Sequence, residues 1–234
     1  MNPEIVYNAL EEILGAKRPA RSKKFSEAEK KASEWKLPSR EWAFCAGCPH
    51  RASFWVMKNA FKEDDREAVL IGDIGCYSMG VSRTGYYLER TLQCMGSGIG
   101  FSNGLGKLKD LTQPVVTIAG DSTFYHACLP GLVNAKYNGA KLVFIVLDNG
   151  GTAMTGFQPH PGTGKNALGE EVEPIPIERI CQGIGVPYEV VDPFEIEKAI
   201  KVLDDALEAG ELKVLIFRHK CCLLYTSDAA DELD

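Results

Sequence analysis

Two polar side chains each follow an apolar run, and their types suit a hard cation. Asp121 comes just after Val115–Ala119 in "VVTIAGDST"; Asn149 follows "LVFIVL" and Asp148, 28 residues further on. That interval holds one helix and one strand, the length of a crossover between parallel neighbours. Such a βαβ unit brings both side chains to the same edge of adjacent strands. A carboxylate and an amide oxygen, joined by a loop carbonyl, suit magnesium or calcium, whereas soft metals want sulfur or imidazole. Magnesium takes few protein ligands and completes its octahedron with water and phosphate oxygens. A helix beginning near Thr123 would aim backbone amides at the same place, and Gly120 lets backbone approach a ligand closely. The loop "DNGGTAMTG" adds glycines that accept positive φ and two hydroxyls, Thr152 and Thr155, suited to phosphate oxygens. Together these residues describe a diphosphate bridged by a divalent cation. Without that loop, Gly120-Asp121-Ser122 reads better as a helix cap.

The elements that must position them alternate along the chain. The patterning predicts strands at Ala68–Ile71, Val115–Ala119, Leu142–Leu147, Tyr188–Val191 and Val214–Phe217. It predicts helices at Gly98–Lys109, Phe124–Tyr137, Ile175–Cys181 and Phe194–Leu207, the last opened by Asp192-Pro193. Continuous apolar strands between helices mean an α/β fold, a parallel sheet with helices on both faces. Ligands of such sheets bind beyond the carboxyl ends of the strands, where the polar and glycine-rich stretches 72–76, 120–122 and 148–156 fall. Upstream, residues 3–14 repeat apolar positions at helical spacing, with Asn2 as N-cap and Gly15 as the stop. Residues 16–41 are polar, carry two prolines and read as a linker. Three regions follow: a helix plus linker over 1–42, the main domain over 43–220, and a tail. From Cys222, "CLLYTSDAADE" abandons the α/β pattern and resembles a translated sequencing adapter. Residues 222–234 are therefore expected to be non-native, and no function is placed on Tyr225, Asp228 or the acidic end.

Composition excludes several classes. A net charge of −6, with no basic block after the "AKRPARSKK" of residues 16–24, argues against nucleic acid as partner. No apolar run nears the roughly 18 residues of a membrane span. The N-terminus reads as an amphipathic helix rather than a signal peptide, so the cytoplasm is the expected location. In that setting eight cysteines suggest thiols or cofactor contacts more than disulfides. Cys45 and Cys48 form a CxxC, but no second pair or closely spaced third cysteine makes a zinc or four-iron site there. Cys94, Cys128 and Cys181 are expected to be buried small hydrophobes. His126 is expected to be structural, and "PHPG", by itself, is a turn.

The pair "GDS" and "LDNGGTAMTG" resembles the thiamine diphosphate motif, with Ser122 and Asp148 standing where many relatives have glycine and asparagine. By that match Asp121 and Asn149 are the side-chain ligands of magnesium and Gly151 offers its carbonyl. Further stretches, "CAGCPHR" at 45–51, "GDIGCY" at 72–77 and "TGFQPHPGTG" at 155–164, resemble the cofactor-binding domain of the 2-oxoacid:ferredoxin oxidoreductases. The "PHR" and "QPHPGTG" forms are most similar to large subunits of the indolepyruvate branch. The resemblance covers about residues 43–220 and implies the diphosphate-binding half of a thiamine diphosphate fold. It implies that Gly120, Asp121, Ser122, Asn149 and Thr155 line the diphosphate, and that Cys45, Gly47, Cys48, Gly75 and Cys76 lie nearer the reactive end. His50 and His160 become candidates for the substrate carboxylate or for proton transfer, since imidazole serves either near neutral pH.

The implied reaction is oxidative decarboxylation of an aryl 2-oxoacid. Thiamine diphosphate carries the organic chemistry, the acyl group passes to coenzyme A, and electrons leave through 4Fe-4S clusters to ferredoxin. The activating glutamate, the pyrimidine-binding domain that supplies it, those clusters and a smaller subunit all lie outside this sequence. The chain is therefore expected to be a fragment, inactive by itself. Other readings are a thiamine-dependent decarboxylase or carboligase, a non-catalytic diphosphate-binding module, and a subunit that has lost catalysis. "CAGCPHR" speaks against the first. A dinucleotide site would need GxGxxG after a strand, and "GSGIGFSNG" at 96–104 lacks a predicted strand leading into it.

Overall fold

A computed structural model of the chain describes residues 3–15, 22–36 and 41–224. The expected cap Asn2, parts of the linker (16–21 and 37–40), Tyr225, Asp228 and the acidic end lie outside the described residues. The chain divides into two units, 1–40 and 41–234. The first contains helices α1 (Pro3–Leu14) and α2 (Lys23–Ser33). Helix α2 falls inside the stretch expected to be a linker. Ser22 caps it, its Oγ accepting the Phe25 N–H at 3.2 Å, and "KKFSEAEKKA" is rich in good helix formers. Its polarity reflects the absence of buried residues on this helix, not a lack of structure.

The second unit is a six-stranded sheet in the order β2-β1-β3-β4-β6-β5, with every pairing parallel. Its strands are β1 (Val69–Ile71), β2 (Glu89–Thr91), β3 (Val115–Gly120), β4 (Val143–Asp148), β5 (Tyr188–Val191) and β6 (Lys213–Arg218). Alternate residues of one strand face opposite sides. Val116, Ile118, Ile145, Leu147, Leu215 and Phe217 pack with α3 (Pro49–Asp64) and α8 (Ile196–Ala209) on one face. Val115, Ala119, Phe144, Val146, Val214 and Ile216 pack with α4 (Ser97–Leu105), α6 (Leu129–Asn138) and α7 (Ile177–Ile184) on the other. Fully buried side chains such as Phe54, Leu132 and Phe144 each contribute about 1.5–3 kcal/mol from water exclusion.

Three features were not expected from sequence. Helix α3 begins inside "CPHR", with Pro49 at its first turn. Strand β2 precedes α4, so a strand does lead toward "GSGIG". The helix after β3 is composite: a single turn α5 (Asp121–Thr123), a π-turn (Phe124–Cys128) and then α6. The strand order reverses at β1: β2 is added on one side of it and β3 on the other, all parallel. Binding crevices of open α/β sheets form at such a switch point, and here it brings "GDIGC" beside "GDS".

Candidate functional site

Asp121 is buried at the carboxyl end of β3 and both its oxygens are held by backbone. Oδ1 accepts the Ser122 N–H at 2.8 Å; Oδ2 accepts the Gly150 and Gly151 N–H groups at 2.9 and 3.2 Å. The helix-cap reading does not describe it: the cap position belongs to Gly120, without a side-chain bond to the first turn. The carboxylate instead ties the end of β3 to the loop after β4. Gly150 sits at φ +79°, a conformation that favours glycine. It turns the chain so that two successive amides face the same oxygen.

Asn149 is oriented by His50. Its Nδ2 stands 3.2 Å from His50 Nε2. An amide nitrogen only donates, so Nε2 accepts and the neutral ring carries its proton on Nδ1. Burial depresses the His50 pKa to about 4 against the opposing pull of Asp121, so the ring is neutral at physiological pH. Because Nδ2 is committed, Asn149 Oδ1 is the end left to accept, and within the chain it receives a long 3.4 Å contact from the Gly151 N–H. The Gly151 carbonyl takes the Ala153 N–H at 2.9 Å and keeps its second lone pair.

These groups line a cleft of about 110 Å³ between the ends of β1, β3 and β4. His50, Gly75, Cys76, Gly120, Asp121, Ser122, Asn149, Gly151 and Thr155 all border it, joined by Met95, Leu147 and Met154. Tyr77 forms its floor, and sequence reasoning did not single it out. Its hydroxyl donates to the Ile74 carbonyl at 2.8 Å and lies 3.3 Å from Thr123 Oγ1. A Cβ at Gly75 or Gly120 would come within 2.4 or 2.8 Å of the Tyr77 ring, so both glycines are needed for the ring to fit.

The remaining candidates lie around this cleft. Gly47 and Cys48 border a neighbouring hollow with Arg51, Trp55 and Tyr86, and Cys45 is exposed. Burial pushes the Cys48 thiol up to about 11. Burial also raises the Cys76 thiol, aided by the nearby Cys221, Cys45 and Cys222. Thiols held protonated in this way are poor nucleophiles. Cys221 was not singled out from sequence, and Cys222 was expected to open the non-native tail; the Cys221 N–H bonds to the Asn149 carbonyl at 3.0 Å. Cys222 packs against the core cluster that includes Cys48. Cys128 and Cys181 are buried as expected, whereas Cys94, between β2 and α4, is exposed and its expected burial is corrected. Among the described residues no three histidine, cysteine or acidic side chains are arranged to hold a metal ion. The donor set beside the cleft is instead carboxylate, amide and carbonyl oxygen, which fits magnesium.

His160 sits on the far side of Asp121, its Nε2 3.1 Å from Oδ2. The N–H points out of line with that oxygen, so Nε2 is buried without a hydrogen-bond partner. Asp148 turns away from the cleft and is bound by Arg218 Nε at 2.7 Å, while Arg218 also grips Glu178 through two nitrogens at 2.7 and 3.1 Å. Asp148 therefore secures β4 to β6 and α7 and takes no position in the donor set.

Residues 73–217 match the family described as "Thiamine pyrophosphate enzyme, C-terminal TPP binding domain". The chain belongs to the thiamine pyrophosphate enzymes. Within this family it is similar to the indolepyruvate oxidoreductase subunit IorA of Archaeoglobus fulgidus, 40% identical over 94% of the chain and 35% of that protein. The subunit of the same name from Methanothermobacter thermautotrophicus is 36% identical over 95% of the chain and again 35% of its own length. The chain thus spans about a third of the curated relatives it matches. Its fold is shared with a 2-oxoglutarate:ferredoxin oxidoreductase of Magnetococcus marinus (TM-score 0.64, 18% identity, 77% of this chain and 65% of that one). It is also shared with a thiamine diphosphate-dependent 4-hydroxybenzoylformate decarboxylase of Rhodococcus jostii (TM-score 0.54, 19% identity, 79% of this chain and 35% of that one). This thiamine pyrophosphate domain has the parallel sheet expected from sequence. Among its described residues no helix is long and apolar enough to cross a membrane.

Proposed function

We propose that this domain holds the diphosphate of thiamine through magnesium and serves the oxidation of an aryl 2-oxoacid within a longer subunit. The observation that carries the reading is the convergence of Asp121, Asn149 and the Gly151 carbonyl on one cleft, with the backbone of three glycine-containing segments around it. Asp121 and Asn149 would supply side-chain oxygens to the cation, and Gly151 its carbonyl. Gly120 and Ser122 would border the phosphates, with Thr155 as a further hydroxyl. Thiamine diphosphate, when bound, would supply the carbanion-stabilising chemistry that decarboxylation of a 2-oxoacid needs. This chain's own contribution is orientation: His50 fixes the Asn149 amide, and Tyr77 sets the floor at the cleft's β1 side. Both His50 and His160 remain candidates for the substrate carboxylate or a proton, His50 as a neutral ring that borders the cleft.

The aryl preference follows the name of the IorA subunits; coenzyme A, ferredoxin, its iron–sulfur clusters and a separate pyrimidine-binding domain with its activating glutamate follow from the motif resemblance to the 2-oxoacid:ferredoxin oxidoreductases. Apolar side chains in the lining of the cleft, Ile74, Met95, Leu147 and Met154, suit a flat ring system. The test is calorimetric titration of thiamine diphosphate into the full-length subunit, with and without magnesium, repeated with Asp121→Ala. Magnesium-dependent binding that disappears in the variant is the expected result. Equal binding by both proteins, or none by the assembled wild type, would sink the reading.

A further inference from the structure

Between β4 and α7 the chain forms a loop, and one side chain outside this segment touches both ends of it. The Ile175 N–H bonds to the Pro161 carbonyl at 2.9 Å and closes residues 161–175 into a loop. Inside it, the Val172 N–H bonds to the Gly164 carbonyl at 2.9 Å. Tyr125 meets the neck of this loop twice. Its ring stacks on the His160 imidazole with centroids 5.4 Å apart and planes 27° apart. Its hydroxyl donates to the Ile175 carbonyl at 2.5 Å. Gly162 admits the ring: a Cβ there would stand 2.6 Å from Tyr125 Oη.

The π-turn explains why Tyr125 is available. One extra residue per turn shifts the helix phase, a feature often found at functional sites. Phe124 and Cys128 point into the core with no exposed surface, while Tyr125 faces the loop. Beyond the stack, His160 Nδ1 accepts the Gly162 N–H at 3.1 Å. The neutral ring therefore carries its proton on Nε2, the buried and unpartnered atom beside Asp121. An unsatisfied buried polar group is unfavourable, so packing must hold it in place, and the Tyr125 ring is the packing against its face.

We propose that Tyr125 is a positioning residue: by clamping the neck of loop 161–175 it keeps His160 against Asp121 and so fixes that carboxylate for the cation-bridged diphosphate. The clamp stands on the geometry alone; its consequence for the cofactor rests on the function proposed above. The experiment uses the full-length subunit with its partner and the variants Tyr125→Leu and Tyr125→Phe. Hydrogen–deuterium exchange without cofactor reads the clamp, and calorimetry with thiamine diphosphate and magnesium reads the consequence. In Tyr125→Leu, exchange over 162–175 should rise at least about tenfold while β3 stays protected, and cofactor affinity should fall about tenfold. Tyr125→Phe keeps the stack and loses the bond to Ile175, so it should restore most of the affinity with an intermediate exchange rate. Unchanged exchange in Tyr125→Leu would overturn the clamp whatever the cofactor does. Faster exchange with undiminished affinity would overturn its positioning role. If the wild-type assembly binds no thiamine diphosphate, the proposed function and the positioning role both fall, and the exchange data still decide the clamp.

Discussion

Among the described residues, nothing bonds the carboxyl group of Glu89. It lies on β2, and both oxygens are buried without a hydrogen-bond partner. They crowd the backbone of Gly72 and Gly80, where an added Cβ would come within 2.6 Å of them. Burial, reinforced by the charge of Asp73, lifts its pKa from 4.5 to about 8. The native protein therefore binds a proton that the unfolded chain has released between those two values. The stability this proton gives is fully present below pH 4.5 and is lost as pH rises through about 8. At 1.36 kcal/mol per pH unit of difference, the loss reaches at most roughly 4–5 kcal/mol. Glu89→Gln removes the titration while keeping the shape. Its extra N–H adds a pH-independent cost of about 1 kcal/mol, so the slope of stability with pH reports the effect and the offset does not. Urea unfolding followed by tryptophan fluorescence from pH 5 to 9 should show wild type losing stability with rising pH more steeply than Glu89→Gln. With an offset of about 1 kcal/mol, the curves should cross roughly 0.7 pH unit above 4.5, so the variant should be the more stable of the two from about pH 5 to 6 upward. Parallel curves for the two proteins would refute the buried, protonated carboxyl.

Three other outcomes follow from the site. His50→Leu leaves the Asn149 amide without an acceptor; it should weaken magnesium-dependent cofactor binding about tenfold, with His50→Gln recovering part of it by calorimetry. Gly120→Ala places a methyl 2.8 Å from the buried Tyr77 ring. It should cost about 1–3 kcal/mol in urea unfolding, and an unaffected midpoint would contradict the packing described. Arg218→Met strips Asp148 of its partner, and thermal unfolding should show a loss of about 1–3 kcal/mol that Asp148→Asn largely restores in the double variant.

What the sequence revealed tracks how locally each feature is determined. Strands β3, β4 and β6 are buried on both faces, so their composition alone marks them, and the polar residues that end them mark the site. Strand β2 reads Glu-Arg-Thr and owes its existence to pairing with β1, which no local pattern reports. Helix α3 did carry a signal, since Ala52, Val56 and Ala60 recur every fourth residue. The partners of Asp121 and Asn149 are tertiary: His50 reaches Asn149 from 99 residues away, and Asp121 takes amides from beyond the next strand. Spacing could place their strands together but not say which atom each side chain would meet. The π-turn is equally invisible, because it is a register slip within a good helical pattern.

The wedge of Tyr77 between Gly75 and Gly120 also constrains the order in which this domain can change. While the ring is present, neither glycine can gain a side chain without displacing it. A lineage that first trades Tyr77 for a small residue leaves a void that either position could then fill, so the same substitutions become tolerable or harmful according to what preceded them. Three residues from two strand ends thus behave as one heritable unit, and Gly120, the one next to Asp121, can vary only after the aromatic residue beneath it has gone.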